Sequence, residues 1–169
     1  MNRYTVAVLV RNQFGVLNRV TSMFRRRQFN ISALTVSETE SSLLSRITVS
    51  FDGEESCKQQ LINQLYKLPD VRSIKEITPA NSISCELLLI KMRNDPATRN
   101  DILAAADAFG AVTVDYSKDS VTFRLTDESR KLDDFINLMR DYHILEICRT
   151  GSVSLEKGAA TISQTINFS

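Results

Sequence analysis

Near the amino terminus the stretch RNQFGVLNRV, residues 11–20, joins a strand-like run to a helix-like one, with a single glycine, Gly15, at the junction. These are the residue types on which chemistry is most readily built. A helix N-terminus presents unpaired amides, here those of about Gly15, Val16 and Leu17, together with a partial positive charge. Without a Cβ at residue 15, a carboxylate can come close to that backbone. Asn12 and, further along, Asn30 offer amide groups suited to an ammonium or a carboxylate, and Val16 and Ile31 offer an aliphatic wall. Carboxylate, ammonium and aliphatic wall together describe a small apolar amino acid. The plainer reading is that Gly15 only makes a turn and Asn12 only caps a helix, and the stretch taken alone leaves both open.

The surrounding pattern shows what must hold these residues. YTVAVLV (4–10) alternates as a strand does, and Val16, Leu17, Val20, Met23 and Phe24 then recur at helical spacing. FNISALTV (29–36) and LLSRITVSF (43–51) read as strands. Cys57, Leu61, Leu65 and Leu68 mark a helix that stops near Pro69, and VRSIKEI (71–77) is a further strand. After PANS (79–82), which has a linker's composition, the order β-α-β-β-α-β recurs. CELLLIKM (85–92) is a strand, and Asp95-Pro96 supplies an N-cap and a first-turn proline for a helix ending at Gly110. AVTVDY (111–116) and SVTFRL (120–125) form a hairpin, a helix carries Leu132, Phe135, Ile136 and Met139, and HILEICR (143–149) is the last strand. The expected fold class is therefore α+β, with two ferredoxin-like βαββαβ domains in tandem. Residues 1–78 make the first, 79–82 the linker, and 83–169 the second with a C-terminal tail. Each half leaves one sheet face that its own helices cannot cover. On that face Thr5, Ala7 and Leu9 are not polar enough for free exposure, so pairing with a second copy of the chain is the expected arrangement, with cover by the second half as the alternative.

Composition closes off several function classes. In 169 residues, 21 Lys and Arg stand against 20 Asp and Glu, a balance that argues against a polyanion as main partner. The topology is shared with RNA-recognition modules, but LLSRITVSF has only Phe51 to stack on a base, so nucleic acid is not expected. Cys57, Cys85 and Cys148 are far apart and His143 is the only histidine, so no metal site, no disulfide framework and a cytoplasmic location are expected. No run is long enough to span a membrane. An acylphosphatase-type enzyme would draw on Arg11 and Arg19 beside the turn, but the local order is not that family's, and no nucleophile–base or paired-carboxylate constellation is visible. No catalytic residue is expected. Arg25-Arg26-Arg27 at the end of the first helix read mainly as solvated cations favoured by the helix dipole. Arg46 faces away from Ile47, Val49 and Phe51, either towards a partner or simply towards water.

At this point the stretches NQFGVLNRVTSMFRRRQFNISALTV, LSRITV (44–49) and QLYKLPDV (64–71) resemble the ACT domain that opens the small, regulatory subunits of acetolactate synthase (acetohydroxyacid synthase). ELLLIKMRND (86–95), AVTVDYSKDSVTF (111–123) and KLDDFINLMRDYHILEICRTGSVSLEKG (131–158) resemble the carboxy-terminal domain of that family, in the same order. The resemblance implies a subunit with no catalysis of its own. Such a chain activates a large, thiamine-diphosphate-dependent catalytic subunit and confers feedback inhibition by valine or another branched-chain amino acid. Thiamine diphosphate, FAD and magnesium would belong to that large subunit, and this chain would carry no cofactor. It also implies a homodimer through the ACT domain, with the effector held by Asn12, Gly15, Val16 and Leu17 of one chain and Asn30 and Ile31 of the other. A free-standing ACT-type amino-acid sensor or a docking module is the alternative. Three positions depart from the family's habit: Gln28 stands where a helix-ending glycine is common, Phe14 precedes the glycine, and Asn18 replaces a smaller residue.

Overall fold

A computed structural model describes residues 2–165. The described residues divide into two compact units, one of 2–83 with 153–165 and the other of 84–152.

The first unit runs β1 (Asn2–Arg11), α1 (Val16–Arg26), β2 (Ile31–Glu38), β3 (Leu44–Gly53), α2 (Glu55–Tyr66) and β4 (Val71–Ile77). Its sheet has the order β2-β3-β1-β4, antiparallel throughout. Alternation along β1 sends Val6, Val8 and Val10 into a core with Val16, Val20, Met23 and Phe24 of α1, Ile47, Val49 and Phe51 of β3, and Leu61 and Leu65 of α2. The amphipathic spacing seen in the sequence is thus the face that α1 buries. A register shift between Leu9 and Val10 in the β1–β4 pairing puts a bulge beside the end of β1, where the β1–α1 loop begins.

The other face of this sheet holds Ala7 and Leu9, which are fully buried. They pack with Ile77 and Ile162. Ile162 opens a short 3-10 turn (Ile162–Thr165) that follows a four-residue strand, β9 (Val153–Glu156). The cover therefore comes in part from residues 153–162 of the same chain, which the sequence pattern had placed as a tail of the second domain. Nothing in the alternation of 153–165 distinguishes a tail from a cover, since only Ile162 among its apolar residues is buried in this contact.

The second unit runs β5 (Ser82–Arg93), α3 (Arg99–Phe109), β6 (Val112–Tyr116), β7 (Ser120–Asp127), α4 (Ser129–Met139) and β8 (Ile144–Arg149), with sheet order β6-β7-β5-β8. β9 pairs with β5, whose first two residues belong to the first unit. Leu88, Ile90 and Met92 of β5 meet Val121, Phe123 and Leu125 of β7 and the buried stripes of both helices. α3 starts later than the Asp95-Pro96 signal suggests. The Asp95 carboxylate accepts the Ala97 N–H at 2.9 Å and folds 95–98 into a turn, so Thr98, not Asp95, precedes the helix. Gly110 ends α3 in the left-handed conformation, as its position implies.

One ion pair ties β5, β8 and α4 together. Glu86, 5% exposed, accepts both Nε and Nη2 of Arg149 at 2.7 and 2.8 Å and the Ser129 hydroxyl at 2.7 Å. Nη1 of Arg149 donates to Asp133 at 2.6 Å. Burial alone pushes the Glu86 carboxyl up, but the hydrogen bonds from Arg149 and Ser129, the Arg149 charge and the Gly151 backbone outweigh it and hold it below its ordinary 4.5. A lowered folded-state value means that the stabilisation is fully present above that ordinary value and is lost as pH falls through the lowered one. Thermal unfolding followed from pH 7 to pH 3 is expected to show this acid loss. The Glu86→Gln variant should be weaker by ~3 kcal/mol at pH 7, because Arg149 then lacks its buried counter-charge, and should show a flatter decline in acid.

Candidate functional site

The β1–α1 loop is tied down at both sides. The Arg11 N–H donates to the Asp70 carbonyl at 2.9 Å, and the Asn12 N–H to the Leu43 carbonyl at 2.8 Å. The Asn12 side chain uses its Nδ2 twice, on Glu38 Oε1 at 2.9 Å and the Ser42 carbonyl at 3.0 Å. Its Oδ1 is then the acceptor left over for a ligand. Gly15 sits before the first helical residue with φ 81° and ψ −6°, the left-handed region that glycine occupies without strain. No side chain caps this helix start. The N–H of Val16 is taken by the Gln13 carbonyl at 3.3 Å, whereas those of Gly15, Leu17 and Asn18 have no backbone partner among the described residues. The open amides are thus those of Gly15, Leu17 and Asn18 rather than the Gly15–Val16–Leu17 run expected from spacing. Val16 itself is 3% exposed and fills the core beneath the loop, while Leu17 is 43% exposed and Phe14 stands wholly in solvent.

Arg19, which the sequence offers beside this turn only for the phosphate-binding alternative, also lies against the loop. A Cβ on Gly15 would stand 3.3 Å from Arg19 Nη1, so the guanidinium lies directly against the glycine. Nε of the same group donates to Asp70 Oδ2 at 2.7 Å, and Asp70 is buried. The local signal for Arg19 was its spacing of four from Gly15, one helical turn, which stacks the two on one face. Asp70 had no local signal, because it is 51 residues away from Arg19. Together the loop offers free amides, a guanidinium and one acceptor oxygen, which suits a carboxylate with an adjacent ammonium.

Asn30 and Ile31 lie at the opposite end of α1. The helix closes with a Schellman motif: the Phe29 N–H donates to the Phe24 carbonyl at 3.1 Å and the Gln28 N–H to the Arg25 carbonyl at 3.2 Å. Gln28 takes the left-handed position with φ 57°, and it is the non-glycine with positive φ among the described residues. The turn expected of glycine therefore persists with glutamine in it. Asn30 follows, exposed, and Ile31 opens β2, packing partly on the first core. Eleven helical residues rise about 16 Å. Within one chain, Asn12, Gly15, Val16 and Leu17 come together, and Asn30 and Ile31 do not join them.

The remaining candidates are accounted for locally. His143 is exposed, with its carbonyl accepting the Arg93 N–H at 2.9 Å. Arg26 and Arg27 contact the Ser22 carbonyl and Gln64 at 3.4 Å each. Arg46 donates from Nη2 to the Ser154 carbonyl at 2.7 Å. The three cysteines are free thiols. Among the described residues no cluster of three His, Cys, Asp or Glu could hold a metal ion, and no helix is long and apolar enough to cross a membrane.

Comparison with known proteins follows this division of the chain. Residues 6–73 match the AHAS small subunit-like ACT domain family, and residues 85–158 match the family described as the small subunit of acetolactate synthase. The probable acetolactate synthase small subunit of Archaeoglobus fulgidus is 43% identical over 156 residues, covering 92% of this chain and 98% of its own length. The chain belongs to the acetolactate synthase small-subunit family. The Bacillus subtilis acetolactate synthase small subunit is 39% identical over 168 residues, spanning 96% and 97% of the two chains. The crystal structure of the Thermotoga maritima small subunit superposes with a TM-score of 0.83 at 33% identity, covering 95% of this chain and all of that one. An acetolactate synthase small subunit is the regulatory chain and not the catalytic one, in keeping with the expectation that no catalytic residue is present.

The strain at Gln28 gives a direct test of the local geometry. Gln28→Gly should stabilise the small subunit by ~1 kcal/mol, since glycine adopts the left-handed turn without a Cβ clash. Urea unfolding should show a higher midpoint with an unchanged slope.

Proposed function

We propose that this small subunit binds valine or another branched-chain amino acid between two copies of its ACT domain, and so regulates the thiamine-diphosphate-dependent catalytic subunit in branched-chain amino-acid biosynthesis. It activates that subunit in the cytoplasm and makes it sensitive to feedback inhibition. Thiamine diphosphate, FAD and magnesium belong to the catalytic partner. The observation that carries this reading is the separation of the two residue sets by the full length of α1. A ligand that touches both must take Asn12, Gly15 and Leu17 from one chain and Asn30 and Ile31 from another.

In this arrangement the effector carboxylate lies against the amides of Gly15, Leu17 and Asn18, beside the Arg19 guanidinium. Its ammonium reaches Asn12 Oδ1, and Asn30 of the second chain closes the far side. Val16 supports the loop from the core, and Leu17 and Ile31 bound the aliphatic side chain. A ligand that bridges two chains favours one placement of them over another. It shifts the holoenzyme only by its difference in affinity for the two states, typically about 1–3 kcal/mol, and binding of the catalytic subunit must change effector affinity by the same factor.

Reconstitution with the cognate catalytic subunit, assaying acetolactate formation with and without valine, leucine and isoleucine, tests the reading. Gly15→Asp should leave activation intact and abolish feedback inhibition, because a carboxylate then stands where the effector's own belongs. Normal effector sensitivity in that variant would sink the site. By calorimetry, Asn30→Ala should weaken effector binding roughly tenfold, and by more than Asn18→Ala does, as one lost hydrogen bond to a charged group requires. Effector binding without any activation would favour the free-standing sensor.

A further inference from the structure

The helix-free face of the first sheet is built from small and polar residues. Its register sets Arg46 and Ser73 on either side of Leu9, and Thr48 and Lys75 on either side of Ala7. Ala7, Leu9, Thr48 and Ser73 are all buried. Residues 153–162 lie over this face, and their hold on it is of three kinds. Ile162 seats against Ala7, Leu9 and Ile77. Arg46 Nη2 donates to the Ser154 carbonyl at 2.7 Å, and Lys75 Nζ stands 3.3 Å from Glu156 Oε1. The Lys157 N–H donates to the Asn81 carbonyl at 2.9 Å, and its Nζ to the Pro79 carbonyl at 2.9 Å.

The fit is incomplete. β9 has four residues, and its two apolar side chains, Val153 and Leu155, face outward at 44% and 65% exposure. On the face beneath it, Arg46 Nε and Ser73 Oγ are buried with no hydrogen-bond partner among the described residues, and so is Glu156 Oε2 of β9 itself. Burial lowers the Arg46 pKa, and the nearby Glu156 and Glu40 charges partly restore it. Among the described residues these two donors on the face thus find no acceptor while the segment is seated, and an unmet buried donor works against the closed arrangement.

We propose that residues 153–162 are a releasable strap over this face, and that the bared face receives the catalytic subunit through an extended segment of matching chemistry. That segment carries a carboxylate for Arg46 and Lys75 and a branched aliphatic side chain for the hollow of Ala7, Leu9 and Ile77. The strap's own Glu156 and Ile162 are the template for it, and the two cations on the face select an acidic partner. The identity of the partner rests on the function proposed above, and the strap itself does not.

The whole chain carrying Ile162→Asp tests this. Tryptic cleavage after Lys157 should quicken with the far-ultraviolet circular dichroism unchanged, showing a released strap on a folded chain. The concentration of small subunit giving half-maximal activation should then fall about tenfold, a gain of ~1.4 kcal/mol in partner binding. An unchanged or higher concentration with the strap released overturns the proposal. If that variant does not fold, Glu156→Lys, which opposes Lys75 and Arg46 with a like charge but keeps Ile162, gives the same comparison. A fluorescent peptide VSLEKGAATIS should bind the Ile162→Asp chain and not the wild type. Equal binding to both, or to neither, overturns the strap even where no catalytic subunit is activated, and absence of activation by the wild type instead counts against the proposed function.

Discussion

The burial of β1 on both faces is the constraint from which the first unit follows. A central strand with Val6, Val8 and Val10 on one side and Ala7 and Leu9 on the other, all nearly inaccessible to water, needs two covers. Two helices supply one. The other begins with residues from the far end of the chain, so a local alternation of apolar residues creates a long-range demand. The same strand delivers its last residue, Arg11, to the Asp70 carbonyl and thereby aims the loop that carries Gly15. Core packing and the anchoring of the Gly15 loop are therefore consequences of one strand's placement.

Much of this architecture was legible in the sequence, because the two periods, 2 and 3.6, alternate cleanly twice along the chain. The strand and helix order, the buried stripes of α1 and α4 and the Gly110 stop all follow from residue type and spacing, whereas the left-handed turn at Gln28 runs against its residue type and was raised only by the family resemblance. The late start of α3 was not legible, because Asp95 can cap a helix or form a side-chain turn, and the choice lies in how its carboxylate meets Ala97. The role of 153–162 was hidden for a different reason: the apolar residues that alternate in VSLE, Val153 and Leu155, turn outward, and the contact rests on Ile162, which stands outside that alternation. At the site, Gly15 and Asn12 could be singled out by their position at a strand-to-helix junction. The Arg19–Asp70 pair could not, since its two halves are joined only by the fold.

In the function proposed above, the β1–α1 loop of one chain supplies only half of the effector site. That incompleteness suits a chain that reads metabolite concentration and passes it on. A complete, enclosed pocket would bind the effector whatever the state of the neighbours, and such binding would shift nothing. With its groups divided between the two ends of α1, the proposed site is filled only when chains are suitably placed, which is the variable a regulator has to report. The Arg19 guanidinium, held on one edge by Asp70, keeps positive charge next to the open amides without closing over them.

The discontinuity of the first unit also bears on how the molecule is made. Residues 153–162 leave the ribosome only after the whole of 84–152, and the second unit lies on one unbroken stretch of chain. At about 5–20 residues per second, several seconds pass between completion of β4 and arrival of Ile162. During that interval Ile162 is not yet available to cover Ala7 and Leu9. The order of synthesis thus lets the contiguous unit be completed before the older, amino-terminal half, which is finished last.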